Sequence, residues 1–145
     1  MKSTPNAKER VGGRQWTMKI LDSDHCIAIL RGQLDLRGQV APEDELAITA
    51  VSVGELTHGA HKSKHAADNL ARLDVLLSTL TVLVFDEYAA RRFGALKARL
   101  ESTGAGVSDM DLQIASIALE CSAPLVTHNQ RHFSRIPSLT LEDWL

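Results

Sequence analysis

The chain has 145 residues, 44% of them hydrophobic and 23% charged, with a formal net charge of −2. This describes one ordinary globular domain with room for a proper core and excludes a protein drawn to nucleic acid by a strongly basic global field. Two cysteines, Cys26 and Cys121, lie far apart in apolar helical patterns; they read as core thiols in a reducing, cytoplasmic setting rather than as metal ligands or a disulfide pair. No apolar run approaches the roughly 18 residues that a membrane span requires, and no signal-peptide core is visible.

Residues 1–17 carry four basic residues against one acidic, which leaves the remainder of the chain at −5. Polar, interrupted by Pro5 and Gly12-Gly13 and without an apolar period, they read as a disordered N-terminal tail or extension, and residues 18–145 as the domain. Met18 to Asp22 reads as a first buried strand. Ser23 to Gly32 reads as a short helix with Ser23 as cap and Gly32 as stop, and Gln33 to Glu45 as a loop. Leu46 to Val51, all small or branched apart from Leu46, suits a strand buried on both faces. Ser52 and Glu55 have the spacing of a capping box at the start of a further helix. An amphipathic helix follows from about Lys64 to Leu80, with Ala66, Leu70, Leu73, Leu77 and Leu80 on one face. Thr81 to Phe85 is a third strand; Asp86 caps a helix with the stripe Ala89, Phe93, Leu96 and Leu100, ending at Gly104. Pro124 to Thr127 is a fourth strand and Leu139 to Leu141 a short fifth. Strands alternating with helices predict an α/β domain with a mainly parallel sheet of four to five strands and helices on both faces.

The helix entered at Val107-Ser108-Asp109-Met110-Asp111 is apolar nearly all round, so it belongs in a core, with its acidic first turn opening into a crevice. Ser108 is a natural N-cap, and acids suit the positive end of a helix dipole, so capping alone accounts for Asp109 and Asp111 unless other carboxylates converge there. Asp22 and Asp24 follow the first strand, Glu55 lies in the first turn after the second, and His128 and Asn129 follow the fourth. In parallel α/β sheets, function gathers at the carboxyl ends of strands. Carboxylates crowded together raise one another's pKa unless a cation neutralises them. An oxygen-only ligand set with room for water suits Mg²⁺ or Mn²⁺, ions that activate water and steady phosphoryl oxygens in phosphodiester hydrolysis.

Four motifs stand in order: Ile20-Leu21-Asp22-Ser23-Asp24, Ser52-Val53-Gly54-Glu55-Leu56-Thr57-His58-Gly59, Asp111-Leu112-Gln113-Ile114-Ala115-Ser116-Ile117-Ala118, and Leu125-Val126-Thr127-His128-Asn129-Gln130-Arg131-His132-Phe133. Together they resemble the PIN-domain pattern. Ile136 to Trp144 resembles the ending of VapC-type toxins of bacterial VapBC toxin–antitoxin pairs. The resemblance runs from Met18 to the C-terminus and implies a three-layer PIN-like fold. It also implies a metal-dependent endoribonuclease toxin that cuts RNA, tRNA among its targets, with Mg²⁺ or Mn²⁺, and that a cognate VapB-type antitoxin restrains. Asp22, Glu55 and Asp111 match the family's first three catalytic acids and are the implied metal ligands, with Asp109 an additional acid. Asp24 falls where the family often carries Asn, which gives it a supporting place beside Thr127 and His128. The family's fourth acid falls on Asn129, a neutral amide and weaker ligand, which leaves open whether one or two metals bind. Homodimers are usual among the resembled toxins, and the segments around Leu70–Leu80 and Ala89–Leu100 offer apolar surface for one.

Rival readings of the residues remain. Asp22-x-Asp24 also resembles haloacid-dehalogenase phosphatases, with Asp22 as nucleophile, although His25-Cys26 stands where that family has a small turn and Thr. A PIN-like module that binds RNA or protein without cleavage is a second alternative. His58, His61 and His65 would share a zinc-binding stripe only if one helix ran through Ser63, so a solvated face is the simpler reading. Ser23, Ser52 and Thr127 lack a nucleophile's context. Arg91, Arg92, Lys97 and Arg99 read as a solvated face before a phosphate-steering rim.

Overall fold

The computed structural model describes residues 8–11 and 14–145, with side chains from Thr17 onward. Strand β1 (Lys8–Val11) pairs antiparallel with the beginning of β2 (Arg14–Leu21), Val11 opposite Arg14. Part of the stretch read as a tail is therefore a hairpin, and β2 starts four residues before Met18. The Gly12-Gly13 pair between two runs is a hairpin signal that the polar composition masked; residues 1–7 and 12–13 lie outside the described residues.

After β2 come α1 (Ser23–Leu30), β3 (Glu45–Thr49), α2 (Ala50–Lys62), α3 (Ala66–Leu77), β4 (Thr81–Leu83), α4 (Glu87–Ser102), α5 (Asp109–Cys121), β5 (Leu125–Val126), α6 (Gln130–Phe133) and β6 (Leu141–Glu142). The strands run in the order β4-β3-β2-β5-β6, every pair on that path parallel. The five-stranded parallel sheet agrees with the sequence reading, with the hairpin as an addition. The chain lays β3 and β4 on one side of β2 and then returns to place β5 on the other. The order thus reverses between β2 and β5, and in open parallel sheets the crevice at such a switch point is where ligands bind.

Residue alternation along the central strands sends side chains into two cores. Ile20, Ala47 and Leu125 face one that holds Ala89 and Leu100 of α4, Leu112 to Ala118 of α5, and Phe133 of α6. Leu21, Ile48 and Val126 face another that holds Cys26 of α1, Leu56 of α2 and Leu73 of α3. The molecule therefore has three layers, with α1–α3 on one face of the sheet and α4–α6 on the other. Helix α5 is buried along nearly its whole body, as its composition predicts: Leu112, Ile114, Ala115, Ser116, Ile117, Ala118 and Cys121 are all inaccessible. Ser116 avoids a desolvation cost by donating its hydroxyl to the Leu112 carbonyl at 2.6 Å.

Two helix starts differ from the sequence reading. Thr49, not Ser52, caps α2: its Oγ1 accepts the Ser52 N–H at 3.1 Å, so the helix begins three residues earlier. Asp22, not Ser23, caps α1, with Oδ1 accepting the Ser23 N–H at 2.9 Å. Both departures free residues for the site, since Glu55 no longer closes a capping box and the Ser23 hydroxyl is available to it. The break at Ser63 between α2 and α3 puts His65 outside the helix that carries His58 and His61, which dissolves the histidine stripe. No helix among the described residues is long and apolar enough to cross a membrane.

Candidate active site

At the switch point, the carboxyl ends of β2 and β5 deliver Asp22 and Thr127 to one another across 105 positions of sequence. The Thr127 hydroxyl donates to Asp22 Oδ2 at 2.7 Å, while Asp22 Oδ1 takes the Ser23 N–H. Asp22 is only 8% exposed. Burial pushes its carboxyl up to about 6; the hydrogen bonds from Thr127 and Ser23 pull the other way, and the charges of Asp24 and Glu55 add to the rise.

Glu55 reaches the same place from α2. Its Oε1 accepts the Ser23 hydroxyl at 3.0 Å. Its carboxyl is also raised, first by burial, against the Ser23 hydrogen bond, with further repulsion from Asp111 and Asp24. Asp111, in the first turn of α5, comes from the opposite layer, and Ser108 caps that helix through a bond from the Asp111 N–H at 3.2 Å. Glu55 thus feels the charge of Asp111 and Asp24, and Asp22 that of Asp24 and Glu55, and among the described residues no lysine or arginine forms an ion pair with any of these four acids.

Asp24 braces the loop after β5. One oxygen takes the His128 N–H at 2.9 Å and the other lies 2.7 Å from His25 Nδ1. Thr127 Oγ1 also accepts the Asn129 N–H at 3.1 Å, and the Asn129 amide nitrogen lies 3.3 Å from His132 Nδ1. That His132 nitrogen is 3.6 Å from Asp111 Oδ2. The His128 ring turns away to Asp143, at 2.8 Å. Asp109 stands apart from the other acids: it is exposed and held by Lys97 of α4 at 2.9 Å. That pair, with Arg91–Glu87 and Arg92–Glu120, occupies three of the four cations considered as a phosphate rim.

Sequence reasoning assigned Ser23 only to capping, and passed over His25 and His132 as partners of the acids. A visible signal existed for His25, a polar residue in the otherwise apolar body Cys26-Ile27-Ala28-Ile29-Leu30. Both cysteines are buried thiols; burial, then the charges of Asp22 and Asp24, pushes Cys26 up to about 12, so neither is poised as a nucleophile.

The donors fit a hard divalent cation. They are carboxylate oxygens, partly withdrawn from water, repelling their neighbours and without a lysine or arginine partner, the arrangement that such an ion relieves. No three acidic, histidine or cysteine side chains among the described residues enclose an ion by themselves.

A parallel sheet between two helical layers, with acids gathered at its switch point, is the arrangement that the PIN-type resemblance of the sequence implies. The PIN-domain profile matches residues 19–139. Ribonuclease VapC2 of Rickettsia felis is 38% identical over 105 residues, spanning 72% of this chain and 78% of that protein. The tRNA(fMet)-specific endonuclease VapC of Salmonella typhimurium is 33% identical over 127 residues, 86% of this chain and 96% of that one. Among solved structures, a chain of VapBC2 from Rickettsia felis, bound to a DNA fragment from its promoter, superposes with a TM-score of 0.82 at 32% identity, covering 89% of this chain and all of that one. VapBC-1 from nontypeable Haemophilus influenzae gives 0.80 at 27%, covering 88% and 98%. The chain belongs to the PIN-domain family, in its VapC ribonuclease branch. The phosphatase reading of Asp22 and Asp24 is thereby set aside.

Proposed function

We propose that this protein is a metal-dependent endoribonuclease toxin of a toxin–antitoxin pair, cutting RNA at the Asp22, Glu55 and Asp111 cluster. The observation that carries the reading is the concentration of carboxylates without a lysine or arginine partner, with Asp22 pushed up to about 6, at the crevice beyond the carboxyl ends of β2 and β5. Asp22, Glu55 and Asp111 are the residues that would hold Mg²⁺ or Mn²⁺. When bound, the ion supplies an activated water and charge stabilisation for the phosphoryl oxygens. Thr127 orients Asp22, Ser23 orients Glu55, and Asp24 keeps the loop after β5 in place. Asn129 and His132, beside Asp111, line the approach for the RNA, while the His128 ring is turned to Asp143. Asp109, bound to Lys97, sits at the rim rather than among the ligands, and with an amide at Asn129 the remaining acids favour one firmly held ion. The VapC relatives that act on tRNA(fMet) make a tRNA the first substrate to try.

The partner in this reading is a VapB-type antitoxin, by kinship with the VapBC complexes. A cleft of about 470 Å³ between α1, α2 and α3 supports it: Leu30, Leu56 and Leu73 line an apolar bed that reaches Ser23 and Glu55, and Arg31 and Arg72 stand at its edge. A segment seated there would lie against the acids. The setting is cytoplasmic, where toxin, antitoxin and RNA meet.

Cleavage of RNA by the purified protein should stop with a general chelator, return with Mg²⁺ or Mn²⁺, and survive a zinc-selective chelator. Loss of activity on zinc-selective chelation, restored by Zn²⁺ alone, would replace the hard-cation reading with a zinc one.

A further inference from the structure

His25 is fully buried at the third position of α1, and nothing in the chemistry above employs it. Its Nε2 accepts the backbone N–H of Trp144 at 3.0 Å. A main-chain N–H can only donate, so Nε2 carries a bare lone pair, and the proton of the neutral ring is on Nδ1. Nδ1 lies 2.7 Å from Asp24 Oδ1 and donates to it. The Asp143 carboxylate is also near Nε2, at 3.5 Å, and would by itself favour a proton there. The nearer Trp144 N–H prevails, because an Nε2–H would set two donors against each other. Asp143 is engaged elsewhere, by the Leu145 N–H at 3.0 Å and by His128 at 2.8 Å.

The C-terminal segment is itself fixed. Trp144 Nε1 donates to Glu142 at 3.2 Å, Lys19 pairs with Glu142 at 2.9 Å and stands 5.6 Å over the indole, and the His25 and Trp144 rings meet edge to face at 6.1 Å. A continuous path therefore leads from the last residues of the chain to the acids: Trp144 N–H to His25 Nε2, His25 Nδ1–H to Asp24, Asp24 to the His128 N–H, and the adjoining Thr127 hydroxyl to Asp22.

We propose that His25 is a positioning residue: locked by Trp144 in its Nδ1–H form, it holds Asp24 against the loop after β5, and so presents Thr127 to Asp22. With the Nδ1–H donor in place, one Asp24 oxygen is committed to His25 and the other to His128. Without it, Asp24 is free to turn, the loop loses its brace, and the Thr127–Asp22 bond loosens. The inference rests on the ribonuclease reading for what the geometry serves, and on His25 itself for how.

Nitrogen-15 NMR of the metal-free wild type reads the tautomer directly, with a proton on His25 Nδ1 and none on Nε2 expected. A ring protonated on Nε2, alone or together with Nδ1, overturns the proposal, and this readout requires no variant. Two substitutions then separate positioning from packing. His25→Asn places an amide N–H near the Nδ1 position and lacks the Nε2 acceptor; His25→Gln keeps an acceptor near Nε2 and lacks the donor to Asp24. With RNA and Mg²⁺, kcat for His25→Asn should stay within about threefold of wild type. His25→Gln should lose about 10–100-fold, the scale found when partners that orient metal-site ligands are removed, with KM unchanged in both. Equal losses in the two variants would mean that His25 only fills space, which contradicts the proposal. Absence of cleavage by the wild type would instead overturn the ribonuclease reading, and leave the tautomer result standing.

Discussion

Asp22 combines two roles that compete energetically. It caps α1 and accepts the Thr127 hydroxyl, both of which favour the carboxylate, yet it is buried beside Asp24 and Glu55, which favours the protonated form, and the second influence is the larger. The folded carboxyl titrates near 6 against an ordinary 3.8, so between those values the folded protein keeps a proton that the unfolded chain has released. Stability linked to Asp22 is therefore intact below pH 3.8 and falls as pH rises, with the whole penalty present above pH 6. In chelator, wild-type stability relative to Asp22→Asn should fall by about 2–3 kcal/mol between pH 4 and pH 7, and Mg²⁺ or Mn²⁺ should restore it at the higher pH. Urea titrations of the two proteins check this; a flat difference across that range would mean that Asp22 is not held against its own charge. Asp22, Glu55 and Asp111 were legible in the sequence because strand ends and helix starts are recognisable from pattern. The bonds among Ser23, Glu55, His25 and Asp24 were not, because they depend on a side chain's direction within a helical turn, and the caps lie one residue (α1) and three residues (α2) before the positions read from the sequence, which changes that direction.

At the scale of elements, α5 joins the core to the site. Its apolar body fixes its axis, and that axis sets where Asp111 emerges. Ile117, fully buried and packed on the layer that contains Leu125 and Phe133, is the sharpest probe. Ile117→Ala should cost about 2–5 kcal/mol, the range for emptying such a site in a packed core, as measured by chemical denaturation. A loss under about 1 kcal/mol would show that the α5 layer is loosely packed. The strongly periodic elements agreed with their sequence signals, α3 and α4 among them, and Gly32 takes the left-handed φ of 67° expected of a helix stop. The short ones were less legible. The strands β5 and β6 have two residues each, so they contain no period to read, and only pairing, of β5 with β2 and of β6 with β5, makes them strands. The β1–β2 hairpin was hidden for a different reason, since its residues are polar and a strand paired with its neighbour requires no apolar alternation.

At the scale of the molecule, the three layers leave some apolar surface in water. Val75 on α3, Val82 on edge strand β4, and Val84 and Tyr88 beyond it are exposed, Val75 by 69% and Val84 by 61%. These residues adjoin the segments that the sequence reading offered to a second copy, and light scattering at micromolar concentration should give about twice the 15.8 kDa chain mass; a mass near that of one chain would rule out the dimer. The acidic balance of the domain means that RNA is not gathered by the global field, so specificity and turnover have to come from the local crevice and the cation held in it. The claim on which everything else depends is that this crevice cuts RNA through Asp22 and a hard divalent cation. It is tested most directly by mapping cleavage sites in total RNA treated with wild type and with Asp22→Asn, side by side in Mg²⁺ or Mn²⁺. Wild type should give discrete new RNA ends, Asp22→Asn none, and neither protein any in chelator. The same ends with both proteins, or ends that persist in chelator, would contradict that claim.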